Sequence, residues 1–346
     1  MINVAVVGLG FMGVTHLKAY RKLKDVRIAA ICDAVKLPVD GVLAGVAGNV
    51  ADPDPVRLDM TQVRAYRDFE ELLADQGVDL IDLCVPTPLH VKLAVAALGA
   101  GRHVVCEKPL ARTSAQAREI AEAAAKAKGF FLPAMCMRFW PGWSWLKPAV
   151  ADQRHGRVLA ARFRRVSEPP GWAKSSYFKG DESGGALLDL HIHDTDFIQF
   201  VFGRPKAVFS TGLTRYSGAI DHVVTQYEVA GGATVSAEGS WLMTPGWGFN
   251  ISYTVNFERA TADFDSARGA DALKLTEEGQ PTRIVPLEAG DGYDRELGHL
   301  IESIQSGKAP TIVTARDAVS AVEICEAEEK SVITRQVVAL TSQQPA

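Results

Sequence analysis

Residues 2–13 read Ile2-Asn3-Val4-Ala5-Val6-Val7-Gly8-Leu9-Gly10-Phe11-Met12-Gly13, and this stretch decides the fold. A short run rich in β-branched residues, closed at once by glycine, predicts a buried parallel strand. Val14 to Leu23 then continues without Pro or Gly and predicts a helix. Between strand and helix, the Gly-x-Gly-x-x-Gly spacing predicts a dinucleotide site whose loop spans Gly8, Gly10, Phe11, Met12 and Gly13. Gly8 allows the tight turn, Gly10 lets the backbone approach a pyrophosphate, and Gly13 lets the helix lie close to the strand. The helix N-terminus offers N–H groups and a partial positive charge to phosphates. A second strand, Val26 to Cys32, ends at Asp33, about twenty residues after Gly13. A carboxylate there accepts hydrogen bonds from ribose hydroxyls and repels a 2′-phosphate, so the expected cofactor is NAD rather than NADP.

The composition narrows the class. A chain of 346 residues, 47% hydrophobic and 23% charged, predicts a globular protein of about two domains. A net charge of −4 gives no reason to expect nucleic acid or an anionic membrane as partner. No apolar run approaches the ~18 residues that span a bilayer. Met1 leads straight into the first strand, which predicts a cytoplasmic protein without a signal peptide. The five cysteines include no C-x-x-C pair and read as small buried hydrophobes in a reducing compartment. Cys106 could be a nucleophile beside Glu107 and Lys108, but the better chemical role there belongs to the lysine.

Strand–helix alternation continues to about residue 130, through strands near Ala65-Tyr66, Leu80–Val85, His103–Cys106 and Phe130–Ala134. Such repeats predict a doubly wound parallel sheet, here a Rossmann domain over residues 1–134, with ligands beyond the carboxyl ends of the strands. The glycine loop, Asp33, Thr87 and Lys108 all fall at such ends. From about residue 138 the pattern changes to β-like runs at 157–166, 207–214, 223–229, 234–241, 250–257 and 260–265, with helices at 183–202, 294–304 and 316–330. These predict a second α/β domain over 135–346 with a large, open, mostly antiparallel sheet. An open face needs cover, and homo-oligomerisation through it is expected.

Two clusters carry chemistry. Lys108, after the fifth strand in Glu107-Lys108-Pro109, can hydrogen-bond a reacting hydroxyl or ketone oxygen and stabilise charge developing on it. In Gly184 to Asp196, Asp189 and His193 stand one helical turn apart, with Asp196 extending the same stripe and Leu187, Leu190, Phe197, Ile198 and Val201 opposite. A carboxylate one turn from an imidazole orients it and raises its basicity, as a general base requires. A metal is the competing reading. However, His191 and His193 lie about 200° apart around a helix and cannot easily share an ion, so no metal is expected. For a polyol ring, aromatic faces and fixed donors at Arg138, Trp140, Trp172, Tyr177 and Tyr293 are the candidate contacts.

The glycine fingerprint, Thr87-Pro88 with His90, Glu107-Lys108-Pro109, Gly184-Gly185 leading to Asp189 and His193, and the Tyr293 helix ending near Gly307-Lys308-Ala309-Pro310 extend over nearly the whole chain. Together they make the sequence similar to the Gfo/Idh/MocA oxidoreductases. The resemblance implies a Rossmann domain followed by an α/β domain whose open sheet forms dimers or tetramers. It implies Lys108, Asp189 and His193 as the catalytic set, Thr87, His90 and Glu107 along the cofactor, and Trp172 near the nicotinamide. The expected reaction is hydride transfer between NAD and a secondary alcohol or ketone of a sugar or cyclitol. Two other readings stay open: an NAD-retaining glycosidase or epimerase-like cycle, and a dinucleotide sensor without turnover.

Overall fold

The computed structural model describes residues 1–38, 40–45, 48, 53–171 and 177–341. The chain divides into two compact units, Met1–Cys136 with Asp291–Val319, and Met137–Gly290 with Ser320–Ala346. The first break falls after Cys136. Segment 291–319, by contrast, groups with the first unit rather than with the rest of the C-terminal half.

The first unit is built on six parallel strands: β1 (Ile2–Val7), β2 (Val26–Cys32), β5 (Arg64–Tyr66), β6 (Leu80–Leu83), β7 (His103–Glu107) and β8 (Phe131–Ala134). Their order is β5-β2-β1-β6-β7-β8. Helices cover both faces of such a sheet, which is why β1 and β6 read as mainly apolar runs without strict alternation: Val4, Ala5, Val6, Leu80, Ile81 and Leu83 are all fully buried. The strand order reverses between β1 and β6, the point where the following loops part and a ligand crevice opens. The irregular stretch after Asp40 contains a two-residue antiparallel pair, β3 (Val42–Leu43) and β4 (Val56–Arg57). Helix α1 (Phe11–Tyr20) follows the glycine loop. Asp68 caps α2 (Phe69–Ala74) through the N–H groups of Glu70 and Glu71. Next come α3 (His90–Gly99) and α4 (Ser114–Lys126), whose cap Thr113 accepts from Gln116 N.

The second unit opens with α5 (Leu146–Ala151) and β9 (Val158–Ser167). Then come α6 (Gly180–Ser183), a π-turn over Leu187–His191, and α7 (Ile192–Phe202). Five strands follow: β10 (Ala207–Leu213), β11 (His222–Glu228), β12 (Thr234–Ser240), β13 (Phe249–Phe257) and β14 (Ala260–Asp265). Three strands not foreseen, β15 (Leu273–Glu277), β16 (Arg283–Ile284) and β17 (Val338–Ala339), extend the edges of a nine-stranded sheet. The sheet is antiparallel except where β9 runs parallel to β12. In β14 the inward positions Ala260, Ala262 and Phe264 alternate with outward polar ones, so one face carries the core. Trp143, fully buried, is the hub of that core, with Phe197, Tyr253 and Phe264 edge-on to it at 4.9, 5.4 and 6.1 Å.

Two helices close the chain. α8 (Gly292–Ser306) packs on α1 within the first unit and ends at Gly307 in the left-handed region. α9 (Ala315–Thr334) follows it. No helix of the described residues is long and apolar enough to cross a membrane.

Candidate active site

Each glycine of the loop after β1 has a distinct reason. Gly8 adopts φ +90°, and a Cβ there would lie 2.4 Å from the carbonyl oxygen of Cys84. At Gly13 a Cβ would lie 1.8 Å from the carbonyl oxygen of Gly8, so only glycine lets α1 sit this close to the loop. At Gly10 a Cβ would meet nothing within 4 Å, and that clear side is the room a pyrophosphate needs. No side chain caps α1 at Gly10, and the N-terminus of a helix favours an anion. Phe11 and Met12, half-buried, form the first turn.

Asp33 accepts from Leu9 N through Oδ2 at 2.8 Å, and from Val35 N and Lys36 N through Oδ1 at 2.8 and 2.7 Å. Partial burial works against its charge, but these N–H groups outweigh it and hold the carboxyl below the usual range. Asp33 thus braces the glycine loop while presenting a negative charge. This loop, the uncapped helix and the ionised Asp33 together fit NAD.

The turns after β6 and β7 are tied together by His90. Its ring, 1% exposed, places Nε2 2.9 Å from Val85 O and Nδ1 3.0 Å from Pro109 O. Both nitrogens face backbone carbonyls, so the side chain is a brace between the half-buried Thr87 turn and the Lys108 turn. Glu107 is likewise turned inward, 6% exposed, accepting from Lys108 N at 3.0 Å. Its other oxygen lies 3.2 Å from Nε2 of His16, whose Nδ1 lies 2.8 Å from Asp82. Burial opposes a charge on His16, but the Asp82 carboxylate outweighs it, and the pKa rises well above 6.5. An imidazolium between two carboxylates thus lies behind the Lys108 turn. Cys84 completes this cluster, with Sγ 3.4 Å from His16 Nδ1. Hydrogen bonding accounts for how closely His16, Asp82 and Cys84 gather.

Sequence reading missed His16 and Asp82. The signal for Asp82 was available: a charged residue inside the apolar run Leu80–Leu83 must be paired when buried.

In the second unit, Gly184 and Gly185 take φ of +74° and +67°, and a Cβ on Gly185 would lie 2.6 Å from Ile220 O. From Gly184 to Gln199 every residue is buried except Asp189 and His193, which are both partly exposed. The apolar positions read from the sequence, Leu187, Leu190, Phe197, Ile198 and Val201, all face the core.

One expectation for this segment is corrected. Asp196 does not extend the exposed stripe: it is 1% exposed and accepts from Arg138 Nε and Nη2 at 2.8 and 2.6 Å. Arg138, 4% exposed and stacked on Phe200 at 4.7 Å, anchors that carboxylate from inside the unit. Asp194, fully buried, is paired in the same way with Arg165 at 2.7 Å. A helix buried on almost every side needs such partners for its acids.

The aromatic candidates divide between the two units. Tyr177 packs edge-on against Trp241 at 5.9 Å beside Ala186 and Leu190. Trp140 is half-buried in the second unit. Tyr293 belongs to the first, its ring 6.2 Å from that of His16. Trp172 lies outside the described residues.

Two family profiles match this arrangement. "Oxidoreductase family, NAD-binding Rossmann fold" covers residues 2–134, and the Gfo/Idh/MocA C-terminal domain covers residues 143–263. The chain belongs to the Gfo/Idh/MocA oxidoreductase family. This Gfo/Idh/MocA protein is an oxidoreductase, and its cofactor is NAD. It is 26% identical to the myo-inositol 2-dehydrogenase of Thermotoga maritima over 355 aligned positions, covering 98% of each chain. It is 27% identical to the inositol 2-dehydrogenase of Streptomyces avermitilis over 342 positions, covering 94% of this chain and 91% of that one. The Gfo/Idh/MocA fold is also shared with a levoglucosan dehydrogenase crystallised with NADH and L-sorbose, at a TM-score of 0.83, 20% identity and 99% coverage of both chains.

Proposed function

We propose that the protein is a dehydrogenase that moves hydride between NAD and a secondary alcohol or ketone of a sugar or cyclitol, with Lys108, Asp189 and His193 as its catalytic residues. One observation carries the reading: along an otherwise buried segment of the second unit, the two groups that reach solvent are a carboxylate and an imidazole one turn apart. The inositol dehydrogenase relatives, matched over nearly their whole length, support the substrate class.

Gly8, Gly10, Gly13 and the first turn of α1 hold the pyrophosphate, and Asp33 holds the adenosine ribose. Bound NAD supplies the hydride acceptor. His193 takes the proton of the substrate hydroxyl, so that the carbon which gives up hydride becomes a ketone. Asp189 orients the imidazole and favours its protonated form. The Lys108 ammonium donates a hydrogen bond to the reacting oxygen and stabilises the charge that builds there. The reading extends to a dimer or tetramer formed through the open face of the nine-stranded sheet; a monomer in light scattering would refute that part.

The deciding experiment starts from a screen of cyclitols and monosaccharides with NAD, read by fluorescence of the reduced cofactor. On the best substrate, His193→Ala should lower kcat roughly 10²–10⁴-fold, with NADH affinity unchanged in a fluorescence titration. Turnover at the wild-type rate in that variant would overturn the assignment.

A further inference from the structure

The segment carrying Asp189 and His193 is held from behind by a second buried polar chain. His191, which lies between them in sequence, is fully buried, with Nε2 3.0 Å from the hydroxyl of Tyr227 on β11. That hydroxyl lies 2.6 Å from Oε1 of Glu328 on α9. The same carboxylate accepts from the Thr195 hydroxyl at 3.2 Å. Tyr227 has one hydroxyl proton, and the short contact assigns it to Glu328. Its oxygen is then left to accept from His191 Nε2–H. On the other side of the ring, β12 closes in: a Cβ at Gly239 would lie 2.6 Å from His191 Cβ and 2.8 Å from Nδ1. His191 is therefore fixed both by hydrogen bonds and by lack of space.

His191 is also the last residue of the π-turn. In a regular α-helix, residues four apart stand about 40° beyond a full turn. A π-turn is wider, which brings positions 189 and 193 closer to one line along the helix. Stability alone does not call for the chain that pins this turn. A buried carboxylate met chiefly by neutral donors costs desolvation, and an apolar residue of similar volume is often no less stable there.

We propose that His191, Tyr227 and Glu328 are positioning residues: their hydrogen-bond chain sets the π-turn and so aims Asp189 and His193 at the substrate. The proposal rests on His193 being the proton acceptor. Its test uses the full-length protein. Tyr227→Phe removes one oxygen and Glu328→Leu removes the carboxylate. Each should lower kcat per folded enzyme roughly 10- to 100-fold, the scale of a displaced catalytic group. The NADH dissociation constant should not change, because the glycine loop and Asp33, which hold NAD, lie in the first unit. Glu328→Gln, which still accepts from Tyr227, should restore most of the turnover lost in Glu328→Leu.

A merely structural chain would show a lowered thermal midpoint with wild-type kcat per folded enzyme, and that result would overturn the proposal. If Glu328→Leu fails to fold, Tyr227→Phe decides alone. His193→Ala run in parallel separates the two levels. Wild-type turnover in it removes both readings, while its loss beside a fully active Tyr227→Phe removes only this one.

Discussion

One imidazole, His16, links the helix that follows the glycine loop to the ends of two strands. Asp82, Glu107, Cys84 and Tyr293 face it, and Asp82 above all, with Cys84, keeps it charged despite full burial. Its folded pKa lies above the 6.5 of the unfolded chain. The contribution to stability is therefore complete below about pH 6.5 and is lost as pH rises through the folded value. Breaking such a buried pair costs about 3–5 kcal/mol. Thermal unfolding of the wild type and of His16→Gln should accordingly differ most at mildly acidic pH and converge on the alkaline side. A gap that widens above pH 6.5 would remove the imidazolium assignment. The residues that sequence reading found and those it missed differ in a physical way. Gly8, Gly13 and Asp33 act through backbone geometry within about thirty positions of one another, so their spacing encodes their use. Arg138 pairs with Asp196 across 58 positions, and no local pattern says that a solvent-seeking guanidinium is buried there.

Elements with local punctuation were legible. Gly307, near which the Tyr293 helix was expected to end, terminates α8 in the left-handed region. So is the apolar alternation of β14, which set its bounds at 260–265 in sequence and structure alike. The continuous helix expected over 183–202 is not what forms. Two glycines at positive φ break it, and a π-turn follows, because His191 is claimed by partners on β11 and α9 that lie far away in sequence. Glu328 left a trace of this: it interrupts the buried stripe of Ala321, Val322 and Cys325 on α9, where a carboxylate must have a partner. Strands β16 and β17, of two residues each, are too short to carry any periodicity.

At the scale of the molecule, both fold classes could be read from the change in pattern near residue 135, whereas the return of 291–319 to the first unit could not. The amphipathic pattern of α8 says that one side is covered, not by what. That side, Leu297, Leu300 and Ile301 together with Glu296, is buried within the first unit, where α8 lies on α1. The exposed Lys22–Asp294 pair at 2.9 Å adds little to that attachment. Burying the three aliphatic side chains is worth about 1.5–3 kcal/mol each. The sum is comparable to the ~5–15 kcal/mol net stability of a whole domain. A fragment of residues 1–136 should therefore melt broadly, bind a hydrophobic dye, and bind NADH weakly despite carrying every cofactor residue named above in the described structure. Joining residues 291–319 to it through a flexible linker should restore a cooperative transition and NADH fluorescence enhancement. If the shorter fragment already unfolds cooperatively at the same midpoint as the joined one, α8 is an attachment to the Rossmann sheet and not part of its core.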